Sequence, residues 1–136
     1  MALKISLKSE ERAIIGGAVV RNVSKKTIEL LIENEVPLLR EKELLSESKA
    51  DTACKRIYFV IQLMYVDPQN VLQHQKLYWQ IAQEIMEAAP STAPFFSSIS
   101  ELIYEGKYYQ ALKAAKNLID YEKKVMSNAR KSGGSV

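Results

Sequence analysis

The first forty residues alternate between apolar and polar positions, which predicts short β-strands. Leu3, Ile5 and Leu7 are separated by lysine and serine, the period of two expected of a strand with one buried face. Gly16-Gly17 splits the next apolar stretch and indicates a tight hairpin turn, because glycine adopts positive φ without steric cost. We predict about five short strands, at residues 3–7, on both sides of the glycine pair within 12–21, at 27–33 and at 38–40.

From residue 46 onward the apolar residues recur at helical spacing. The segment ACKRIYFVIQLMYV is apolar on nearly every side, which predicts a central helix capped by Ser48 or Asp51. Asp67-Pro68 should end this helix and cap the next one, and Gly106 should end the third. The later helices are predicted from residue 68 to about 89, from 95 to 105 and from 107 to 126.

These patterns predict an α+β protein with a seam near residue 45. Residues 1–45 form a small antiparallel β module, residues 46–130 form a bundle of about four helices, and residues 131–136 form a disordered tail. The chain of 136 residues suits one domain with such an internal seam.

The composition of the chain also indicates the cellular compartment. No stretch approaches the roughly 20 apolar residues that a membrane span requires, and the alternating N-terminus does not read as a signal peptide. The single cysteine, Cys54, excludes an internal disulfide and suits a reducing environment. We therefore expect a cytoplasmic protein.

Catalytic chemistry finds little support in the sequence. The one histidine, His74, lies in a polar run and is expected on the surface, and Cys54 is expected to be a small buried hydrophobe. Neither belongs to the close Cys/His pairs of a zinc site, and Gly16-Gly17 lacks the lysine of a phosphate loop. We expect no enzyme activity, no cofactor and no metal.

Basic residues on the strand module suggest a binding surface. Each one alone is typical of a solvated charge, but together on a thin sheet they could line an edge that attracts RNA phosphates. Acidic residues at 10, 11, 29, 41 and 43 dilute this signal. The candidate RNA-binding residues are Lys4, Lys8, Arg12, Arg21, Lys25, Lys26, Arg40 and Lys42.

The helical part carries a second basic segment and many aromatic residues. Residues 107–136 hold seven basic and two acidic side chains, within a net charge of +3 for the chain. Aromatic residues at helical spacing are more typical of a core than of a base-stacking platform. They are Tyr58, Tyr65, Tyr78, Trp79, Tyr104, Tyr108, Tyr109 and Tyr121.

Four stretches resemble the flagellum biosynthesis repressor FlbT family. They are MALKISLKSEERAIIGGAVVRN, LLREKELL, ACKRIYFVIQLMYVDP and EGKYYQALKAAKNLIDYE, which span most of residues 1–126. The resemblance implies a post-transcriptional repressor of flagellin synthesis. Such a protein binds the 5′ untranslated leader of flagellin mRNA and promotes its degradation.

The strand module also resembles, more remotely, the carbon storage regulator family of RNA-binding repressors. The similar segments are Glu11–Gly16 and Leu39–Leu44. In that family the arginine of the second segment contacts RNA, so the resemblance implies an RNA-contacting role for Arg40.

A protein-binding alternative stays open at this point. The tyrosine-rich helices would suit a flagellar regulator or chaperone-like module that acts through flagellin or a partner protein. The expected partners are thus the flagellin mRNA leader, and flagellin or another flagellar regulatory protein, with no membrane; a homodimer is left open.

Overall fold

The computed structural model of the protein describes residues 2–134, with side chains to residue 129. The chain divides after Leu44 into two compact units, a strand unit and a helical unit. The α+β class predicted from the sequence, antiparallel strands first and helices afterwards, is confirmed.

The strand unit contains two small antiparallel sheets. β1 pairs with β4 in a two-stranded sheet, while β2 lies between β3 and β5 in a three-stranded sheet. The strands are β1 (Leu3–Leu7), β2 (Arg12–Ile15), β3 (Ala18–Arg21), β4 (Ile28–Ile32) and β5 (Leu38–Arg40).

A glycine turn and a small apolar core hold this unit together. Gly16 and Gly17 have φ values of 58° and 90°, as a two-residue turn with positive φ at both central positions requires. Buried Ile5, Leu7 and Ala13 form the centre of the core. The alternation of the first strand predicts burial of Leu3, Ile5 and Leu7 on one face, but Leu3, at the start of the strand, is 51% exposed.

The helical unit consists of four helices, in agreement with the sequence. Gly106 follows α3 with φ 75°, and the N–H groups of Gly106 and Lys107 donate to the carbonyls of Ile103 and Leu102 at 3.0 and 2.8 Å. This is a glycine-ended helix terminus of the Schellman type. The helices are α1 (Ala53–Val66), α2 (Val71–Ala88), α3 (Ala93–Tyr104) and α4 (Tyr108–Gly134).

Both predicted N-caps are wrong in detail. Thr52, and neither Ser48 nor Asp51, caps α1: its hydroxyl accepts the Lys55 N–H at 3.2 Å. Asp67 makes no capping bond to the backbone, because α2 begins only after a 3₁₀ turn and the Asp67 carboxylate binds side chains instead.

The last helix is longer than the sequence predicts. Its backbone is helical to Gly134, eight residues beyond the expected end at Met126 and into the segment expected to be a disordered tail. No proline or glycine interrupts residues 126–132, so nothing local stops the helix. Residues 135 and 136 of that predicted tail lie outside the described residues.

Within the part of the chain that the structure describes, every helix is too short or too polar to cross a bilayer.

Candidate nucleic-acid interface

Strand topology brings seven of the eight candidate RNA-binding residues to one end of the strand unit. Antiparallel pairing places the end of β1 beside the start of β4, and it places the ends of β3 and β5 beside the start of β2. The eighth candidate, Lys4, is the second residue of β1, away from this end, and its Nζ lies 3.3 Å from Oε2 of Glu29. We call the seven the basic end: Lys8, Arg12, Arg21, Lys25, Lys26, Arg40 and Lys42.

A buried asparagine, Asn22, holds together the two loops at the basic end, which are residues 8–11 between β1 and β2 and residues 22–27 between β3 and β4. Nδ2 of Asn22 donates to the carbonyls of Leu7, Lys8 and Lys26 at 3.0, 3.1 and 2.8 Å, and its side chain is only 3% exposed. Its Oδ1 accepts the N–H and the hydroxyl of Ser24 at 2.9 and 2.7 Å. Because one amide binds carbonyls of both loops, it fixes the backbone at Lys8 next to the backbone at Lys26.

The lysines on these loops are cations that the fold leaves available, and Lys42, in the 3₁₀ turn after β5, is likewise exposed. Lys8, Lys25 and Lys26 are exposed, and among the described residues none of the three forms an ion pair. An ammonium group on a well-ordered backbone can contact phosphate without first breaking an intramolecular ion pair.

Two arginines stand side by side next to these lysines. Arg12 and Arg21 are directly opposite in the β2–β3 register, so their side chains leave the same face of the sheet. Each has a carboxylate nearby: Nε of Arg12 lies 3.8 Å from Glu41, and Nη1 of Arg21 lies 3.9 Å from Glu10. Exposed pairs at such distances contribute about 0–1 kcal/mol, so a phosphate can compete for both guanidinium groups.

Arg40 is held more tightly than the other candidates. Its Nη2 donates to the Ser6 carbonyl at 2.7 Å, and its backbone N–H donates to Oε1 of Glu43 at 2.9 Å. Its Nε is buried without a hydrogen-bond partner among the described residues. The guanidinium thus ties β5 to β1, and the RNA contact inferred for Arg40 stays a prediction.

The nearby acids have structural roles. Glu10 and Glu41 lie beside the two arginines, while Oε1 of Glu11 accepts the Lys8 N–H at 2.8 Å. With Glu43 on the Arg40 N–H, four of the five diluting acids lie at the basic end. They engage arginines and backbone N–H groups and leave the loop lysines unpaired.

Sequence reasoning missed Asn22. An asparagine two residues before a serine is nevertheless a signal for a turn closed by its side chain. Its bonds to Leu7 and Lys8 span 15 and 14 positions of the chain, and such partners are not visible in a local pattern.

The residues considered for catalysis lie in the helical unit and do not form a site together. His74 is not the exposed residue expected: its side chain is 15% exposed, with Nε2 3.0 Å from Oδ2 of Asp67. Hydrogen bonds from Asn70 and His74 lower the pKa of Asp67. In the described chain no three His, Cys, Asp or Glu residues are grouped as a metal would require.

Cys54 is the buried small residue that the sequence predicts. It is 3% exposed, and its N–H lies 3.3 Å from Oε2 of Glu122. Burial, reinforced by the Glu122 carboxylate, raises the pKa of the thiol to about 12. Such a thiol is protonated at neutral pH and is a poor nucleophile.

Comparison with known proteins gives a consistent result. The family described as "Flagellar protein FlbT" matches residues 3–126. The chain is 41% identical over 126 residues to "Probable flagellum biosynthesis repressor protein FlbT 1" of Bradyrhizobium diazoefficiens, covering 92% of this chain and 85% of that one. It is 32% identical over 127 residues to "Flagellum biosynthesis repressor protein FlbT" of Caulobacter vibrioides, covering 90% and 87%. No solved structure matches the chain.

Proposed function

This chain belongs to the FlbT family of flagellar proteins, and from that premise we propose that it is a repressor acting in flagellum biogenesis. More finely, we propose that it represses flagellin synthesis after transcription, by binding the 5′ untranslated leader of flagellin mRNA in the cytoplasm. The names of the relatives support the repressor role. The basic end supports the choice of RNA as its target.

The single observation that carries the proposal is the loop arrangement around Asn22. It presents three exposed lysines beside the Arg12–Arg21 pair on one small, ordered surface. Lysines supply point charges for phosphates, whereas the flat guanidinium groups can also stack on unpaired bases. A single-stranded leader offers both phosphates and unstacked bases, and a duplex hides the bases.

In the proposed mechanism the protein performs no covalent chemistry. A leader bound at the basic end is unavailable to ribosomes, and a message that is not translated is open to cellular nucleases. The protein therefore promotes mRNA decay by occupancy, with affinity set by phosphate contacts and selectivity set by base contacts.

Direct titration tests this function. Purified protein is titrated with a flagellin 5′ leader and with a control leader of equal length and base composition, at about 0.15 M salt. Tighter binding of the flagellin leader is expected. Equal binding of the two RNAs, or none, would remove the basis for leader-specific repression.

A protein-binding regulator is the second candidate, and exposed apolar residues on α2 favour it. Leu72 and Trp79 are 77% and 52% exposed and lie seven residues apart, so they share one helix face. Exposed tryptophan is frequent at interaction hot spots. Capture of flagellin or a flagellar regulatory protein that persists after nuclease treatment, and that Trp79→Ala abolishes, would favour this candidate.

A further inference from the structure

The helical unit contains an apolar groove that the proposed RNA function does not use. It lies between the start of α1, the end of α2 and the later part of α4, with a cavity volume of about 260 Å³. Its apolar wall includes Ala53, Ile85, Ala88, Val125 and Met126. We call it the α4 groove.

The α4 side of the groove is only partly covered. All residues from Lys123 to Ala129 are exposed, so the other described elements leave much of this part of α4 open. Two large apolar residues of this segment, Val125 and Met126, are nevertheless 46% and 47% exposed. Adjacent large apolar residues on a solvated helix are typical of a contact surface.

The groove and the α4 segment beside it carry opposite charges. Glu84 and Glu122 line the groove, and Glu87 is exposed one turn further along α2. Lys123 and Lys124 directly precede the apolar pair on α4 and are exposed. The groove thus has an acidic rim, and the projecting segment combines apolar residues with lysines, which is what an acidic-rimmed apolar groove would bind.

We propose that the α4 groove is occupied by α4 of a second copy of this chain, in a two-fold symmetric dimer. Val125 and Met126 of each copy enter the groove of the other, with the lysines before them facing Glu84 and Glu87. A two-fold interface uses the same patch on both subunits, so that patch must be self-complementary. The patch around the α4 groove meets this requirement, because it contains the groove, its acidic rim, the apolar pair and the lysines.

The dimer also doubles the number of RNA-binding surfaces in the assembly. Two strand units in one assembly provide two basic ends. A long RNA that engages both dissociates more slowly than one held at a single site.

Mass in solution tests the proposal. The full-length protein is expected at twice the chain mass of 15.4 kDa by light scattering. Val125→Glu combined with Met126→Glu should halve that mass and leave the helical circular dichroism unchanged, because both side chains are already half exposed. Lys116→Gln is an exposed control on the same helix, and it should remain dimeric.

Crosslinking locates the interface independently. Because Cys54 also lines the groove, the crosslinking uses a Cys54→Ala background. Met126→Cys is expected to form a disulfide-linked dimer under mild oxidation, whereas Lys116→Cys is not. A wild-type protein that is monomeric at every concentration would overturn the proposal. A double-glutamate variant that stays dimeric would also overturn it.

Discussion

Nη2 of Arg40 donates a 2.7 Å hydrogen bond to the carbonyl of Ser6 and so joins the last strand of the three-stranded sheet to the first strand of the two-stranded sheet. The residue singled out for RNA contact is therefore also a structural tie. Among the described residues, the ammonium groups of Lys8, Lys25 and Lys26 form no comparable bond within the fold. Stability and RNA affinity should respond differently to changes at these two kinds of cation.

Arg40→Ala is expected to lower the free energy of unfolding by about 1–2 kcal/mol. A hydrogen bond from a charged donor is lost, and relief of the buried Nε offsets part of that loss. Lys42→Ala, at an exposed neighbour, should change stability by no more than about 0.5 kcal/mol. Urea denaturation followed by circular dichroism measures both, and equal stability of the two variants would contradict the structural role.

Asn22→Ala is expected to be more damaging, at about 2 kcal/mol or more, because three buried or half-buried carbonyls lose their donor. Asn22→Asp should be at least as harmful, since it directs a carboxylate at those same carbonyls. Ser24→Ala is the milder comparison, because Asn22 retains its three donor contacts. An Asn22→Asp protein as stable as the parent would show that the amide does not hold the loops.

Cys54 should resist thiol reagents until the protein unfolds. Its pKa is raised from 9.0 to about 12, which makes the native thiolate fraction at pH 8 about 10³-fold smaller than that of a free thiol. Between about pH 9 and 12 the unfolded state loses this proton first, so stability should fall as pH rises through that window. The Cys54→Ala protein should lack the part of this loss of stability that comes from the thiol. If a thiol reagent labels Cys54 in the native protein as fast as it labels a free thiol, the burial is contradicted.

Local patterns predicted the strands well, for identifiable reasons. The strand at residues 3–7 and the turn at Gly16-Gly17 are set by neighbouring residues, and both are confirmed, although only Ile5 and Leu7 of the predicted buried face are buried and Leu3 is exposed. Leu38–Arg40 was also predicted with its observed bounds. A thin sheet with one buried face leaves a clear period of two in its sequence.

Contacts between distant residues escaped prediction. Thr52 was not recognised as the cap of α1, and its hydroxyl donates to Glu122, 70 positions away, at 2.6 Å. The ties from Asn22 and Arg40 likewise reach across the fold. Such partners depend on tertiary structure. The sequence therefore identifies the cations of the site, but it does not show which of them are engaged in internal bonds and which are available to RNA.

Binding of flagellin leader RNA at the basic end is what the proposed function requires first. The most direct measurement is the affinity of the Lys8→Ala/Lys25→Ala/Lys26→Ala protein for that leader over a range of salt concentrations, beside wild type. A matched triple variant at Lys49, Lys76 and Lys116 changes three exposed lysines of the helical unit. The loop variant should bind at least about tenfold more weakly, with a salt slope reduced by about 0.7 for each lost phosphate contact. A loop variant that binds with the wild-type affinity and salt slope, or no more weakly than the matched variant, would contradict the account.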